Sequence, residues 1–329
     1  MIPFAYHQAD SVQDAITVLA DRPDAVFLAG GTNLVDHMKL GIIEPPLLID
    51  VGHLPLADVD LLPDGMLHIG AAVRNSDLAA HPLVRSRYAT LSRALLSAAS
   101  GQLRNLATTA GNLLQRTRCV YFQDITTPCN KRAPGTGCSA IDGYLRYHAI
   151  FGASEHCVAV HPSDMAVAMA ALDARVVFHD ADGEHRMALE DFYRLPGEHP
   201  DRDTTLPHGA LITAVEIPEP PTGARSTYRK VRDRASYAFA LTSVAAELVV
   251  DDDTITSARI ALGGVAHKPW RARHAEQALI GSPMNGETLL RAADAELELA
   301  EPLPDNRFKV DLTRRTIVAT LASLAGENR

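Results

Sequence analysis

Ala25-Val26-Phe27-Leu28-Ala29-Gly30-Gly31-Thr32-Asn33-Leu34 is the segment that decides the fold. Its apolar first half predicts a buried strand, and the residues from Leu34 to Lys39 predict a helix, so the glycines form the turn between them. Such a junction presents free backbone N–H groups and the positive end of a helix dipole, which suits a phosphate. The segment is neither a P-loop nor a Gly-x-Gly-x-x-Gly fingerprint. A plain turn without a ligand is the alternative.

A second polar loop covers residues 107–115 and contains hydroxyl groups, Gly111 and Asn112. Gly111 allows close approach of the backbone to a ligand, and the amide of Asn112 can donate to an anion. Two such loops in one domain favour a dinucleotide over a single phosphate.

Helical and strand patterns alternate around these loops. Ser11 and Asp14 predict the capped start of a helix. Ser163-Asp164 precedes the apolar run 165–172, where either residue could simply cap the helix, and we favour that interpretation over ligand binding. Strands are predicted at residues 47–51, 57–61, 67–71, 175–178 and 187–189.

A proline-rich break at residues 216–223 marks the predicted domain boundary. Beyond it the pattern predicts a small α+β domain, with a turn at Asp251-Asp252-Asp253. Its strands are predicted at 227–231, 238–250 and 254–262, and its helices at 271–279, 288–299 and 313–324.

All four cysteines, Cys119, Cys129, Cys138 and Cys157, lie in one short window of the 329-residue chain. Disulfides suit small secreted scaffolds, which this chain does not resemble. The spacing lacks the short knuckles of most structural zinc sites, and the intervening turn-forming residues suit a loop wrapped around an iron–sulfur cluster. The spacing favours the cluster, while zinc and unliganded or redox cysteines stay open.

Several basic residues and histidines lie close to the cysteines in sequence. The basic residues are predicted to stabilise thiolate charge, and they are Lys131, Arg132, Arg116 and Arg118. One histidine could be a ligand, but a histidine with a backbone hydrogen bond is the interpretation we prefer for His148, His156 and His161.

The composition and the N-terminal sequence limit the classes of protein to which the chain could belong. Apolar residues make up 47% of the chain and the formal charge is −9, which is typical of a globular protein and opposite in sign to most nucleic-acid binders. No apolar run approaches the length of a membrane span. The first ten residues lack the basic and apolar regions of a signal peptide, so we expect neither a membrane span nor self-directed secretion.

Taken together, these segments resemble the FAD-binding (medium) subunits of molybdenum hydroxylases, the xanthine dehydrogenase and CO dehydrogenase flavoproteins. The resemblance covers nearly the whole chain, including 261–272, which is similar to the family's C-terminal signature. It implies an α+β fold, with a two-lobed FAD-binding domain of the vanillyl-alcohol-oxidase-like type over 1–220 (lobes 1–55 and 56–220) and a C-terminal domain over 221–329 with a three-stranded antiparallel sheet and helices.

The resemblance also implies which residues contact FAD. In the first loop they are Leu28, Ala29, Gly30, Gly31, Thr32, Asn33 and Leu34. In the second loop they are Ala107, Thr108, Gly111, Asn112 and Gln115. Asp164 matches a carboxylate on the flavin side, Ile212 an apolar residue packed on the ring, and Lys230 a lysine near the isoalloxazine. The diphosphate is then expected between the two loops, held by backbone N–H groups.

An insertion over about 116–160 carries all four cysteines and departs from most of the family. It resembles the iron–sulfur-bearing FAD subunit of periplasmic aldehyde oxidoreductases, notably through Cys129-Asn130-Lys131-Arg132 and Ser154-Glu155-His156-Cys157. The resemblance implies a [4Fe–4S] cluster on Cys119, Cys129, Cys138 and Cys157, either on the electron path or structural.

The implied function is electron transfer within a heterotrimer, and we expect no substrate oxidation by the isolated chain. A large molybdopterin-binding subunit would oxidise an aldehyde, and a small [2Fe–2S] subunit would pass electrons to FAD. Tyr237 and Phe239 replace the family's usual residues and could crowd the nicotinamide position or simply pack in a strand. We therefore expect a ferredoxin-like acceptor or oxygen rather than NAD.

The resemblance allows the cytoplasm, or the periplasm reached on a partner's signal. Alternatives are the FAD subunit of a xanthine dehydrogenase or CoA-ester reductase complex, a self-contained flavoenzyme, and a non-enzymatic zinc-binding interaction module.

Overall fold

The computed structural model describes residues 1–325, so residues 326–329 of the predicted C-terminal domain lie outside the described residues. The chain begins with a small parallel sheet of three strands in the order β1-β3-β2: β1 (Ala5–Gln8), β2 (Val26–Leu28) and β3 (Leu47–Asp50). Helix α1 (Val12–Asp21) connects β1 to β2, and α2 (Leu34–Lys39) follows β2.

Helix α1 starts where the sequence predicts it to start. The Ser11 hydroxyl accepts a hydrogen bond from the backbone N–H of Asp14 over 3.0 Å, which satisfies one of the free donors at the helix start. Ala15, Ile16 and Leu19 form the buried face of the helix and pack in one cluster with the strand residue Ile49. This packing holds β2, and therefore the glycine turn after it, against the rest of the lobe.

A five-stranded antiparallel sheet forms the second unit, in the order β4-β5-β8-β6-β7. Its strands are β4 (Val59–Leu61), β5 (Leu67–Gly70), β6 (Arg175–Asp180), β7 (Gly183–Ala188) and β8 (Leu211–Ile217). Its core joins the sheet to helices packed on one face, with Leu95, Met165 and Val215 fully buried. The helices of this unit are α3 (Asn75–Ala80), α4 (Pro82–Arg87), α5 (Ala89–Ser97), α6 (Gly101–Arg104), α7 (Thr109–Leu113), α8 (Val120–Gln123), α9 (Asp164–Ala171) and α10 (Leu189–Phe192).

A four-stranded antiparallel sheet, β12-β11-β10-β9, makes up the third unit. Its strands are β9 (Arg225–Val231), β10 (Thr242–Asp251), β11 (Thr254–Gly263) and β12 (Trp270–Arg271). It packs against α11 (Arg273–Leu279), α12 (Gly286–Leu297) and α13 (Phe308–Ala325), with a 3-10 turn at Pro304–Asn306. The predicted aspartate turn is confirmed: Asp252 and Asp253 have positive φ angles of 43° and 63°, which Asp tolerates better than most residues.

The structure changes several predicted element boundaries. The sheet has a fourth strand because Trp270 and Arg271 pair with Leu262 and Ala261, and helix α11 therefore begins after that pairing. Strand β10 begins at Thr242, so residues 238–241 of the predicted strand are loop. The predicted strand 187–189 is the end of β7 followed by the first residue of α10.

Residues 116–160 are mostly turns, apart from α8. The segment is nevertheless anchored, because Ile150 and Phe151 are fully buried in the core of the four-stranded sheet. Phe151 stacks on Trp270 with ring centroids 4.8 Å apart. In the described part of the chain, no helix combines the length and the hydropathy needed to cross a bilayer.

Candidate cofactor sites

The first glycine loop offers unoccupied backbone donors. Within residues 1–325, the N–H groups of Gly30, Gly31, Thr32 and Asn33 donate to no other protein atom. Gly31 has a φ of 69°, which glycine adopts without strain. The loop lies at the start of helix α2, so free N–H groups and a helix start meet there as the sequence predicts.

Gly30 is where the two predicted FAD loops touch. A Cβ added to Gly30 would lie 2.0 Å from the Leu106 carbonyl oxygen and 3.2 Å from the Cα of Ala107. Any side chain at Gly30 therefore forces the loops apart. Leu28, Ala29 and Leu34 flank this contact and are half-buried, as are Thr32 and Asn33.

The second loop is more ordered than the sequence suggests, because residues 109–113 form helix α7. The Thr108 hydroxyl caps it by accepting from the N–H of Gly111 over 3.3 Å. The N–H groups of Thr109, Ala110 and Asn112 already donate to protein carbonyls. The backbone N–H groups that are free for a diphosphate therefore lie mainly in the first loop.

Asn112 supplies a donor from the second loop through its side chain. Its Oδ1 accepts from the Ser163 hydroxyl and from Gln115 Nε2, each over 2.6 Å. Two donors on Oδ1 fix the orientation of the amide, so Nδ2 faces away from both of them. The Ser163 hydroxyl also accepts from the N–H of Ala166, which makes Ser163 the cap of α9, as the capping interpretation predicts.

Asp164 and Lys230 form a buried ion pair. Lys230 Nζ donates to the Asp164 carboxylate over 2.7 Å, and the two side chains are 3% and 5% exposed. The Tyr228 hydroxyl donates to the other carboxylate oxygen over 2.5 Å, and burial raises the pKa of Tyr228 well above its usual value. The positive charge of Lys230 is therefore balanced by a carboxylate.

The predicted FAD residues form one continuous set of contacts except at Ile212. Gly30 touches the second loop, and Asn112 of that loop accepts a hydrogen bond from Ser163. Asp164, which follows Ser163, is paired with Lys230. Ile212 lies in β8 at 2% exposure within the core of the five-stranded sheet, so its side chain has little surface left for a ring.

The four cysteines line a single small cavity. All four are free thiols, so the disulfide interpretation is wrong for this structure. Cys129 and Cys138 face each other in a short antiparallel bridge across the turn-rich loop between them. The loop therefore wraps the cavity, as the spacing predicts.

The sulfur atoms are held in a low-dielectric pocket. Burial raises the pKa of Cys119 to about 11, although the N–H groups of Phe122 and Tyr121 oppose the shift. Burial likewise raises the pKa of Cys157 to about 12, opposed by the Lys131 ammonium. Thiols with such pKa values stay protonated at neutral pH unless a bound metal stabilises the thiolate and the proton is released to water, because the bare thiolate is poorly solvated there.

His148 lies against this cavity as well. Its Nε2 is 3.2 Å from Cys119 Sγ, and burial lowers the pKa of His148 to about 4. His161 accepts from the N–H of Ser163 through Nδ1, which is the backbone-bonded arrangement preferred from the sequence. His156 is partly exposed beside Glu155.

Lys131 is the predicted basic residue that the structure places at the cavity. It lines the cavity, its side chain is 1% exposed, and Nζ donates to Asp203 over 2.5 Å. Arg132 instead donates to backbone carbonyls, and Arg118 pairs with Asp36 over 2.9 Å. Arg116 binds Asp203 over 2.8 Å and stacks on Phe122 at 4.8 Å from the ring centroid.

The four cysteine sulfurs lie around one shared cavity. Within residues 1–325, no three His, Cys, Asp or Glu side chains converge tightly enough to hold one metal ion. Thiolates are the ligands that iron–sulfur clusters take. For FAD, the free N–H groups beside a glycine cradle are the chemistry that binds a diphosphate.

Tyr237 and Phe239 lie on an exposed loop rather than in a strand, so the strand-packing alternative is wrong. They are 55% and 46% exposed. The guanidinium of Arg118 lies 5.5 Å from the Phe239 ring centroid, and Arg118 in turn pairs with Asp36 in helix α2. The loop thus reaches the helix that follows the first glycine turn.

Two residues of these sites were not singled out from the sequence. The first is Tyr228, which lies two positions before the predicted Lys230 in β9. Side chains two positions apart in a strand lie on the same face, so strand alternation alone could have identified Tyr228. The second is Asp203, which lies in the loop between α10 and β8. No sequence pattern connects it with Lys131.

Comparison with known proteins agrees with this geometry. Residues 2–220 match the family described as "FAD binding domain in molybdopterin dehydrogenase". Residues 226–324 match the "CO dehydrogenase flavoprotein C-terminal domain". The chain belongs to the family of FAD-binding subunits of molybdenum hydroxylases, and its fold is the mixed α and β fold of that family, as predicted.

Individual relatives extend over the whole length. The aldehyde oxidoreductase FAD-binding subunit PaoB of Escherichia coli (strain K12) is 52% identical over 324 residues, which is 98% of each sequence. The glyceraldehyde dehydrogenase medium chain of Sulfolobus acidocaldarius is 26% identical and is covered over 96% of its length by 98% of this chain. A chain of carbon monoxide dehydrogenase from Hydrogenophaga pseudoflava superimposes with a TM-score of 0.77 at 25% identity, covering 99% of both chains.

Proposed function

We propose that this chain is the FAD-binding electron-transfer subunit of a molybdenum-dependent aldehyde oxidoreductase, and that its four cysteines hold a [4Fe–4S] cluster. The aldehyde class is supported by the 52% identity to PaoB, a relative named as an aldehyde oxidoreductase subunit. The convergence of Cys119, Cys129, Cys138 and Cys157 on one cavity carries the cluster assignment.

FAD, when bound, accepts two electrons and can release them singly. The chain's own residues would hold and orient it. The free N–H groups of Gly30, Gly31, Thr32 and Asn33 would bind the diphosphate, with Asn112 Nδ2 as the donor from the second loop. The Asp164–Lys230 pair would present a rigid, nearly neutral dipole rather than a free positive charge.

The thiolates of Cys119, Cys129, Cys138 and Cys157 would hold the [4Fe–4S] cluster, which would supply one-electron transfer. Cys129 and Cys157 are 7% and 5% exposed, so these sulfurs are shielded from solvent. The Lys131 ammonium would offset part of the negative charge that four thiolates bring to the site.

The partners we propose are a large molybdopterin-binding subunit and a small [2Fe–2S] subunit. Support comes from the names of the relatives, "FAD-binding subunit" and "medium chain", which describe one component of a larger assembly.

For the compartment, we propose that the assembled complex is exported on a signal carried by a partner subunit. Retention in the cytoplasm is the alternative. Fractionation of cells that produce the whole complex distinguishes these two locations.

We propose that the external acceptor is a ferredoxin-like protein or oxygen rather than NAD. The exposed aromatic loop supports this, because Phe239 packs against Arg118, which pairs with Asp36 of helix α2, and Tyr237 is exposed on the same loop. Assays of the complex with an aldehyde should show reduction of a one-electron acceptor and none of NAD. NAD turnover at a comparable rate would contradict this part of the proposal.

The cluster assignment is tested by Cys129→Ser in the complete complex. Electron paramagnetic resonance of the reduced complex should lose the [4Fe–4S] signal, while the partner's [2Fe–2S] signals and the flavin content stay unchanged and show that the complex has assembled. Ser139→Ala is the matched control, because Ser139 lines the same cavity without a sulfur. An unchanged iron spectrum in Cys129→Ser would overturn the assignment.

A further inference from the structure

The Asp203 carboxylate is shared by groups from distant parts of the chain. Lys131 Nζ donates to Oδ1 over 2.5 Å, and Arg116 Nε donates to Oδ2 over 2.8 Å. His267 Nε2, from the C-terminal unit, lies 3.8 Å from Oδ1. The Asp203 backbone is fixed as well, because its carbonyl accepts from the N–H of Arg194 over 3.1 Å.

The Lys131 ammonium has its hydrogen-bond partners in the loop that contains Asp203. Its side chain is 1% exposed, and its ammonium also donates to the Pro200 carbonyl over 2.8 Å, in the same loop as Asp203. A buried ammonium without a counterion is strongly disfavoured, so this loop determines where the charge sits.

The position of that charge matters because Lys131 lines the cysteine cavity. A positive charge beside a cluster favours its reduced, more negative form, and the effect is large where the surroundings are dry. Hydrogen-bonded groups outside the ligand shell commonly fix the residues that tune a metal centre.

We propose that Asp203 is the positioning residue that holds the Lys131 ammonium at the cysteine cavity and thereby sets the reduction potential of the cluster bound there. This inference rests on the proposed function, since it requires the [4Fe–4S] cluster. Asp203 touches neither the cysteines nor the reacting atoms; it acts through Lys131.

The test is a redox titration of the [4Fe–4S] signal in the complete complex. Asp203→Asn keeps the shape but removes the counterion that holds the ammonium, so the Lys131 charge should be lost from the cavity and the midpoint potential should move to a more negative value. Lys131→Met removes the positive charge, so the potential should move to a more negative value. With unchanged iron and flavin content, the double variant should shift the potential no further than Lys131→Met alone, which is expected only if Asp203 acts through Lys131.

Asp173→Asn is the matched control. Like Asp203, Asp173 is partly exposed and is bound by two basic side chains, Arg259 over 3.1 Å and Arg271 over 2.5 Å, but neither arginine lines the cysteine cavity. Its substitution should leave the potential unchanged.

If the wild-type complex holds the cluster but Asp203→Asn keeps its potential or moves it to a more positive value, the role of Asp203 is overturned. If Asp203→Asn does not fold, Asp203→Glu decides instead, because it keeps the charge but displaces the ammonium bound to it; an unchanged potential in that variant would overturn the role of Asp203. A wild-type complex without the [4Fe–4S] signal would instead overturn the proposed function itself.

Discussion

The backbone N–H of Arg116 donates to the side-chain oxygen of Asn33 over 3.0 Å and so joins the start of the cysteine insertion to the first glycine loop. The Arg116 guanidinium also donates to the Lys131 carbonyl over 3.2 Å, inside the insertion. The two candidate cofactor sites therefore share one arginine, and movement of the insertion is transmitted to the loop that carries the free N–H groups.

Gly30→Ala should abolish flavin binding. The new Cβ would overlap the Leu106 carbonyl, so the two loops must separate, at a cost of about 1–3 kcal/mol in stability. The flavin content of the purified complex and its thermal midpoint are the measurements. Gly101→Ala is the control, because a Cβ there meets no atom within 4 Å and should change neither quantity. Full flavin occupancy in Gly30→Ala would refute the close contact of the loops.

The Asp164–Lys230 pair should behave as a coupled unit. Either Asp164→Ala or Lys230→Met leaves an uncompensated buried charge and should cost about 3–5 kcal/mol, whereas the double variant should cost clearly less than the sum. Urea unfolding of the four proteins gives the coupling free energy. Strict additivity would show that the two charges do not interact.

Lys309 should make stability depend on pH. Burial lowers the pKa of Lys309 to about 7, below its usual value of 10.5. Between these values the unfolded chain binds more protons than the folded chain, so this group's contribution makes the protein more stable as pH rises from about 7 to 10.5. The slope from one such group is at most about 1.4 kcal/mol per pH unit.

Lys309→Met removes that contribution. The unfolding free energy of the variant minus that of the wild type should therefore fall as pH increases through this window, as measured by urea unfolding at pH 7 and 9.5. A difference that is constant with pH would mean that Lys309 is charged throughout.

The local elements of the fold follow from the sequence because local signals determine them. Ser11 caps α1, the glycine pair separates β2 from α2, and the aspartate turn joins β10 to β11. The short strand at Trp270–Arg271 carries no such signal, since only pairing with a distant strand defines it. The division near residue 220 stays a prediction.

The candidate sites were predictable to a similar extent. Cysteine spacing indicated a common site, and the structure places all four thiols around one cavity. Long-range partners were not predictable: nothing in the sequence connects Asp203 with Lys131 or Asp164 with Tyr228, because these contacts arise from packing between separate elements.

The most direct test is cofactor analysis of the full chain, produced together with its partner subunits and isolated anaerobically. We predict one FAD per chain, together with a Mössbauer spectrum that contains a [4Fe–4S] component beside the partner's [2Fe–2S] iron. A complex that binds FAD but shows only [2Fe–2S] iron would contradict the claim that this subunit carries both cofactors.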